Sequence, residues 1–485
     1  METAENQGEQ ALTVQFYAAI WNTKMHKNAF PHDKPDPEPS SRPVIDNDDP
    51  QPARPVADSD SGLNRREFIK RSGMALAGAA AVSTFVGPRR AYAASAVELT
   101  FASAKFYGRQ TMAEVVNAFN DSQSKIHVTY KELPPPSSST EVHQALVQQL
   151  ARRNGDPDVF TLDIIWIAEF AAAKWALELD QYFKDSTSEY FNGLVQGCTW
   201  QNKLVALPWY VDSGMLYYRK DLGFSAPTTW AELIASAKEA TGSGKVKFGF
   251  LWQAKQAEVL ICDLVSFIGS NGGSILQADG KTVSIADAPA VDAVQLMYDL
   301  INKEQVTPAD VLSWDEEPSR RPFTGGEAAF LRNWSYVWKI AQSPEESKVV
   351  DQVAVVPLPH FPDKKSAACL GGYQFGINAS SKKREAAVEF VRWMSSPETQ
   401  LRFATQLGLC PTRAAVFERP EIGTEQPFMQ QLKDVFLGAI PRPVTPKYPQ
   451  VTLALQSAVS TALTTGKVEE SLKTAKQKIE TIVKT

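Results

Sequence analysis

Asp212 lies between two apolar runs in the stretch 204–222, LVALPWYVDSGMLYYRKDL, and Asp163 closes another such run in PDVFTLDIIW. A carboxylate among large apolar side chains must find hydrogen-bond donors or give up its charge, so both residues are candidates for work beyond solvation. Two kinds of work suit such a pair. They could serve as the acid and nucleophile of a carbohydrate-active hydrolase, which needs carboxyls ~5–9 Å apart. Or they could hold a non-sugar solute such as a polyamine. For Asp212 a plain turn-capping role stands equally open, because turn chemistry is a common use of Asp.

Other chemistry has little support. The five histidines, His26, His32, His127, His143 and His360, include no HExxH, so a metal site of that kind is not indicated. Cys198, Cys262, Cys369 and Cys410 are widely separated and form no CxxC pair. That argues against a zinc ribbon or a thioredoxin-like motif; buried thiols are the simple reading, and a disulfide stays open. Gly242-Ser243-Gly244-Lys245 has the wrong spacing for a phosphate loop and reads as a flexible turn. The composition, 43% hydrophobic and 22% charged with a formal net charge of −5, is that of a globular protein without a basic face, and nucleic acid is not an expected partner.

The elements that would position Asp163 and Asp212 alternate. Residues 97–102 read as a strand and 112–120 as a helix burying Val115, Val116 and Phe119, with a second strand at 126–130. A helix over 141–153 stops at Asn154-Gly155, and a buried strand at 158–162 delivers Asp163 at its carboxyl end. This order predicts a parallel, doubly wound sheet, in which ligands sit outside the carboxyl ends of the strands. Pro208 suits the start of a strand, and 215–218 has the length and aromatic content of a buried one. Thr229 and Glu232 form a capping box that opens a helix and a second lobe, with strands expected at 246–251 and 353–356 and helices at 258–268 and 290–302. Further on come a short strand at 376–378, a helix over 383–395, and a helix started by Ser396-Pro397 that ends at Gly408.

At 485 residues the chain has room for two domains of roughly 100–200 residues each. Residues 1–62, rich in Pro, Asp and Ser, read as a disordered leader. Residues 63–93 carry Arg65-Arg66 before Phe68, a short apolar run over 74–86, and Ala91-Tyr92-Ala93. That order predicts a twin-arginine export signal cleaved near Ala93-Ala94; the apolar run is shorter than the ~20 residues of a membrane-spanning helix. Either translation starts downstream, near Leu63, or the leader is discarded with the signal. No cysteine follows the apolar run at the cleavage region to carry a lipid, so the mature chain is expected free in the periplasm.

LPWYVDSGMLYYRKDLG, with PDVFTLDIIWIAEFA before it and RNWSY, LGGYQFGINASS and IPRPVTPKYPQV after it, resembles the family 1 extracellular solute-binding proteins of ABC importers, most closely their trehalose/maltose-binding branch. The resemblance covers nearly the whole chain after the export signal. It implies an α/β fold of two lobes, each a doubly wound sheet, with the ligand in the interlobe cleft. By the same resemblance, lobe 1 takes 94–207 and 371–421, and lobe 2 takes 208–370 and 422–485. The sugar-contacting positions carried over are Asp163, Tyr210, Asp212, Trp334, Gly372, Tyr373 and Arg442. Asp163 and Asp212 would accept from hydroxyls, Trp334 and Tyr373 would stack, Arg442 would donate, and Tyr210 could do either.

Read from residues alone, Trp334 and Tyr373 would sooner be core aromatics than ligand plates, and Arg442, between two prolines, could as well be a solvated loop charge. Position 373 is Tyr where the branch often has Trp, and the loop 106–110 has Gln110 where some members carry a carboxylate. The expected protein is therefore a monomeric, cofactor-free receptor. It would bind a small-molecule carbohydrate, a di- or oligosaccharide of the α-glucoside kind, and deliver it to the permease subunits of a membrane ABC transporter without turning it over.

Overall fold

The structure, a computed structural model, describes residues 96–105, 112–277 and 279–484. The leader 1–62, the export signal 63–93 and the loop 106–110 lie outside the described residues.

The chain opens as strand Val97–Ala104, helix Met112–Ser122, strand Ile126–Leu133, helix Ser139–Ala151 and strand Val159–Asp163. Each helix earns its place through one apolar face: Val115, Val116 and Phe119 in the first, and Val142, Leu146 and Leu150 at every fourth position in the second. The three strands are parallel, with Phe101 paired to Tyr130 on one side and Val159 on the other. Asp163 ends the third, as expected.

The sheet is not wholly parallel, however. Its order is Ile126–Leu133, Val97–Ala104, Val159–Asp163, Tyr373–Ile377, Leu207–Pro208, and Tyr373–Ile377 runs antiparallel to both of its neighbours. The short strand expected at 376–378 is the tail of this longer one. The reason is topological. A local β-α-β crossover forces the parallel sense, but this strand arrives from the far lobe and is free of that constraint.

The second lobe holds a four-stranded sheet in the order Val353–Val356, Met215–Arg219, Ala328–Asn333, Phe248–Leu251. It too is mixed: Ala328–Asn333 is antiparallel to Met215–Arg219 and parallel to Phe248–Leu251. Alternation along the strands separates two cores. Leu216, Phe330 and Phe250 face helices Glu258–Gly269, Ala288–Asn302, Tyr448–Thr465 and Val468–Lys484. Met215, Tyr217, Leu331 and Leu251 face Phe323, Phe417, Phe428 and Phe436. Helix Trp230–Gly242 begins with the expected capping box, the Thr229 side chain accepting from Glu232 N at 3.2 Å and Glu232 Oε2 accepting from Thr229 N at 3.1 Å. Ser396 likewise caps helix Pro397–Arg402, and the following turn ends at Gly408 with φ 72°.

Crossing segments join the lobes, and Cys410–Pro411 belongs to one of them. The chain leaves the first sheet at Leu207–Pro208 and reaches the second through strand Tyr210–Ser213; it comes back through Leu370–Gly371 into Tyr373–Ile377. Tyr210–Ser213 pairs with Leu370–Gly371 on one side and Cys410–Pro411 on the other, which makes a small sheet between the lobes. All four cysteines are buried free thiols. Among the described residues no helix is long and apolar enough to cross a membrane.

Candidate functional site

Asp163, Asp212, Tyr210 and Tyr373 meet because the crossing strands set their register. Asp163 lies opposite Tyr373, and Asp212 lies opposite Gly371. Between those two pairs sits Gly372, with φ 113°; a Cβ there would stand 2.2 Å from the Tyr210 carbonyl oxygen. No other residue fits that approach. Gly371 plays a related part, since a Cβ on it would come within 3.0 Å of the Trp334 ring. The two glycines let the crossing backbone pass close to both aromatics. Tyr210 and Tyr373 are then nearly parallel, with ring centroids 6.1 Å apart and planes 12° apart.

All seven residues carried over from the sequence line one cleft, together with Glu258, Glu316, Tyr336 and Cys262. Asp163 caps the turn after its strand, accepting from Ile165 N at 3.2 Å. It also accepts from Arg442 Nη2 at 3.0 Å. Arg442 is buried, with 3% of its surface exposed, so it is not a solvated loop charge. Its Nη1 donates to Glu258 Oε1 at 2.9 Å, and its Nε has no partner. Glu258 starts helix Glu258–Gly269 and accepts as well from the Tyr448 hydroxyl and, at 2.7 Å, from Thr452 Oγ1. Burial raises the Asp163 carboxyl above the usual range, and the Arg442 guanidinium opposes that shift.

Asp212 is buried, with Oδ1 accepting from Ser213 N at 2.9 Å and Ser335 N at 3.1 Å. Burial outweighs those two donors and pushes its carboxyl up to about 7. Trp334 follows strand Ala328–Asn333 and is held at its face and at its edge. The Arg332 guanidinium lies 4.3 Å from the ring centroid, and the indole Nε1 donates to Glu316 Oε1 at 3.2 Å. Arg332 is in turn fixed by Asp263 at 2.7 Å and by Gln253 Oε1 at 2.9 Å. Trp334 is only partly buried, and it joins the wall of the cleft as a plate that cannot swing freely.

Sequence reasoning missed Glu258, Glu316 and Tyr336. Tyr336 was in view, as the last residue of RNWSY. Glu258 and Glu316 each begin a helix, which in sequence looks like ordinary favourable charge at an N-terminus. Their burial is the missing information. The cleft thus holds four carboxylates and the Arg442 guanidinium among aromatic rings. Planar acceptors at the rim of aromatic faces suit a neutral ligand that carries hydroxyls and apolar C–H faces. The free volume is about 90 Å³, against roughly 300–1,000 Å³ for pockets that enclose a small-molecule ligand. Admitting a ligand of that size requires the walls to separate.

Two α/β lobes joined by crossing strands, with a cleft of this kind at the crossing, define a two-lobed solute-binding protein. Residues 107–401 match the model of the bacterial extracellular solute-binding proteins, and the chain belongs to that family. A relative from Deinococcus radiodurans, called a probable ABC transporter-binding protein, is 35% identical over 350 residues, 69% of this chain and 82% of its own length. One from Sinorhizobium fredii, called a probable amino-acid ABC transporter periplasmic-binding protein, is 25% identical over 339 residues, 66% of this chain and 73% of its own. Among solved structures, maltose-bound MalE3 of T. maritima is 38% identical and superposes with a TM-score of 0.74, over 80% of this chain and 100% of that one. The chain is accordingly a solute-binding protein of ABC transport, a family whose members bind small molecules and pass them to a permease.

Proposed function

We propose that this chain is an exported sugar receptor that takes a di- or oligosaccharide, an α-glucoside of the trehalose/maltose kind, between its lobes and delivers it intact to an ABC permease. The observation that carries the reading is convergence. Asp163, Tyr210, Asp212, Trp334, Gly372, Tyr373 and Arg442 are scattered over 280 positions of sequence and line a single cleft. The 38% identity to a maltose-bound protein supports the choice of sugar. Asp163 and Asp212 accept from hydroxyls, Trp334 and Tyr373 stack on C–H faces, Arg442 donates, and Tyr210 does either. Gly372 keeps the backbone out of their way.

Export through the twin-arginine signal with cleavage near Ala93-Ala94, a monomeric mature form, and the division into 94–207 with 371–421 and 208–370 with 422–485 belong to the same reading. The test is calorimetry and thermal shift of the mature chain against maltose, trehalose, sucrose and a polyamine, with the sugar analysed afterwards. Saturable binding of an α-glucoside recovered unchanged is the expected result. A ligand at a hundred times its Kd adds about 2.7 kcal/mol to stability. Release of monosaccharide, abolished by Asp163→Asn, would make the protein a hydrolase; binding of the polyamine alone would replace the sugar by a cation.

A further inference from the structure

We propose that Glu316 is a ligand carboxylate, whose free oxygen accepts from a hydroxyl of the sugar ring that stacks on Trp334. This inference rests on the sugar reading and adds a specificity-determining contact to it. Glu316 is buried, with 7% of its surface exposed, and lies on the cleft wall. Oε1 is used, accepting from the Trp334 indole at 3.2 Å. Oε2 is buried and has no hydrogen-bond partner. A bare carboxylate oxygen out of water is a large unmet demand, and such atoms in native proteins call for a reason.

The indole bond supplies the geometry. It fixes the carboxylate at the edge of the Trp334 plate rather than over its face. The Arg332 guanidinium lies against the ring, close to Asp263 and bonded to Gln253; its Nη2 makes no hydrogen bond, so its charge favours an ionised Glu316 without satisfying Oε2. A pyranose lying flat on an aromatic face turns its equatorial hydroxyls outward, beyond the rim of the plate. There an acceptor on the rim meets them. Burial pushes the Glu316 carboxyl up to about 6, so near neutral pH it remains mostly an ionised acceptor. If Glu316 served only to hold the indole, one oxygen would suffice.

Glu316→Gln separates the two roles. It keeps an oxygen for the indole and replaces the free acceptor by an amide donor. Titration calorimetry with maltose, trehalose and a series of monodeoxy maltoses compares wild type, Glu316→Gln and Asp163→Asn, with melting temperatures taken without sugar. The expected result is a tenfold or greater loss of affinity in Glu316→Gln at nearly unchanged melting temperature, as for loss of a hydrogen bond to a charged group. For one deoxy position the loss from the sugar and the loss from the protein should not add. Wild-type affinity in Glu316→Gln, or additivity at every position, overturns the proposal. In that case a weakened Asp163→Asn leaves the sugar reading standing. Failure of wild type to bind either disaccharide overturns both.

Discussion

Arg442→Ala is the most informative single change. It removes the guanidinium that reaches Asp163 at 3.0 Å from the first sheet and Glu258 at 2.9 Å from a helix of the second lobe, and both carboxylates are 7% exposed. Deleting one partner of a buried ion pair costs about 3–5 kcal/mol, because the other charge stays buried. Here the lower end applies. Glu258 keeps Tyr448 and Thr452, Asp163 keeps Ile165 N, and Asp163 can relieve itself by taking a proton. With roughly 2–4 °C of melting temperature per kcal/mol for a domain of this size, the unliganded variant should melt about 6–12 °C lower.

Arg442→Lys retains the charge but not the planar fork, so it can serve one carboxylate and not both. Its melting temperature should fall between those of wild type and Arg442→Ala. Its sugar affinity should drop nearly as far as that of Arg442→Ala, by roughly the 1.5–3 kcal/mol of a charge-assisted hydrogen bond. The double variant Arg442→Ala/Glu258→Gln should be more stable than the sum of its parts, since neutralising Glu258 removes one orphaned charge. Calorimetry, thermal melts and small-angle scattering with and without maltose follow affinity, stability and closure. An Arg442→Ala protein that melts within about 2 °C of wild type and binds and compacts normally would refute a role for the Arg442 bridge between Asp163 and Glu258 in stability and closure.

Three further outcomes are expected. The Asp212 carboxyl titrates near 7 when folded and near ~3.9 when unfolded; the folded state therefore holds more protons in between, and the Asp212 contribution to stability falls as pH rises from about 4 to about 7. In melts across that window wild type should lose stability relative to Asp212→Asn as pH rises, and parallel profiles would contradict the assignment. Gly372→Ala should destabilise by at least ~1–3 kcal/mol in denaturant titrations, from backbone strain alone, because its φ of 113° and the 2.2 Å approach to Tyr210 leave no room for a methyl; an unperturbed midpoint would mean the crossing strands yield easily. The four cysteines should stay unreactive toward a thiol reagent in the native protein and release four thiols per chain in denaturant, whereas a lower count would reveal a disulfide.

Local rules account for much of what could be read in advance. Residues spaced for one helical face made Met112–Ser122 and Ser139–Ala151, the Thr229 and Glu232 pair started its helix, and the aromatic run from Met215 formed a strand with two buried faces. Those are interactions over a few positions, and a sequence contains both partners side by side. The identities of Asp163, Tyr210, Asp212, Trp334, Gly372, Tyr373 and Arg442 were legible as motifs, without their relative placement. Only the tertiary structure decided that Tyr373–Ile377 runs antiparallel, that Arg442 is buried, and that Glu258 and Glu316 face the cleft. The bond from Arg442 to Glu258 spans 184 residues, and nothing near either residue announces the other. A charge at a helix start looks the same in solvent or in a core, and its environment is set by which distant chain segment the fold lays against it.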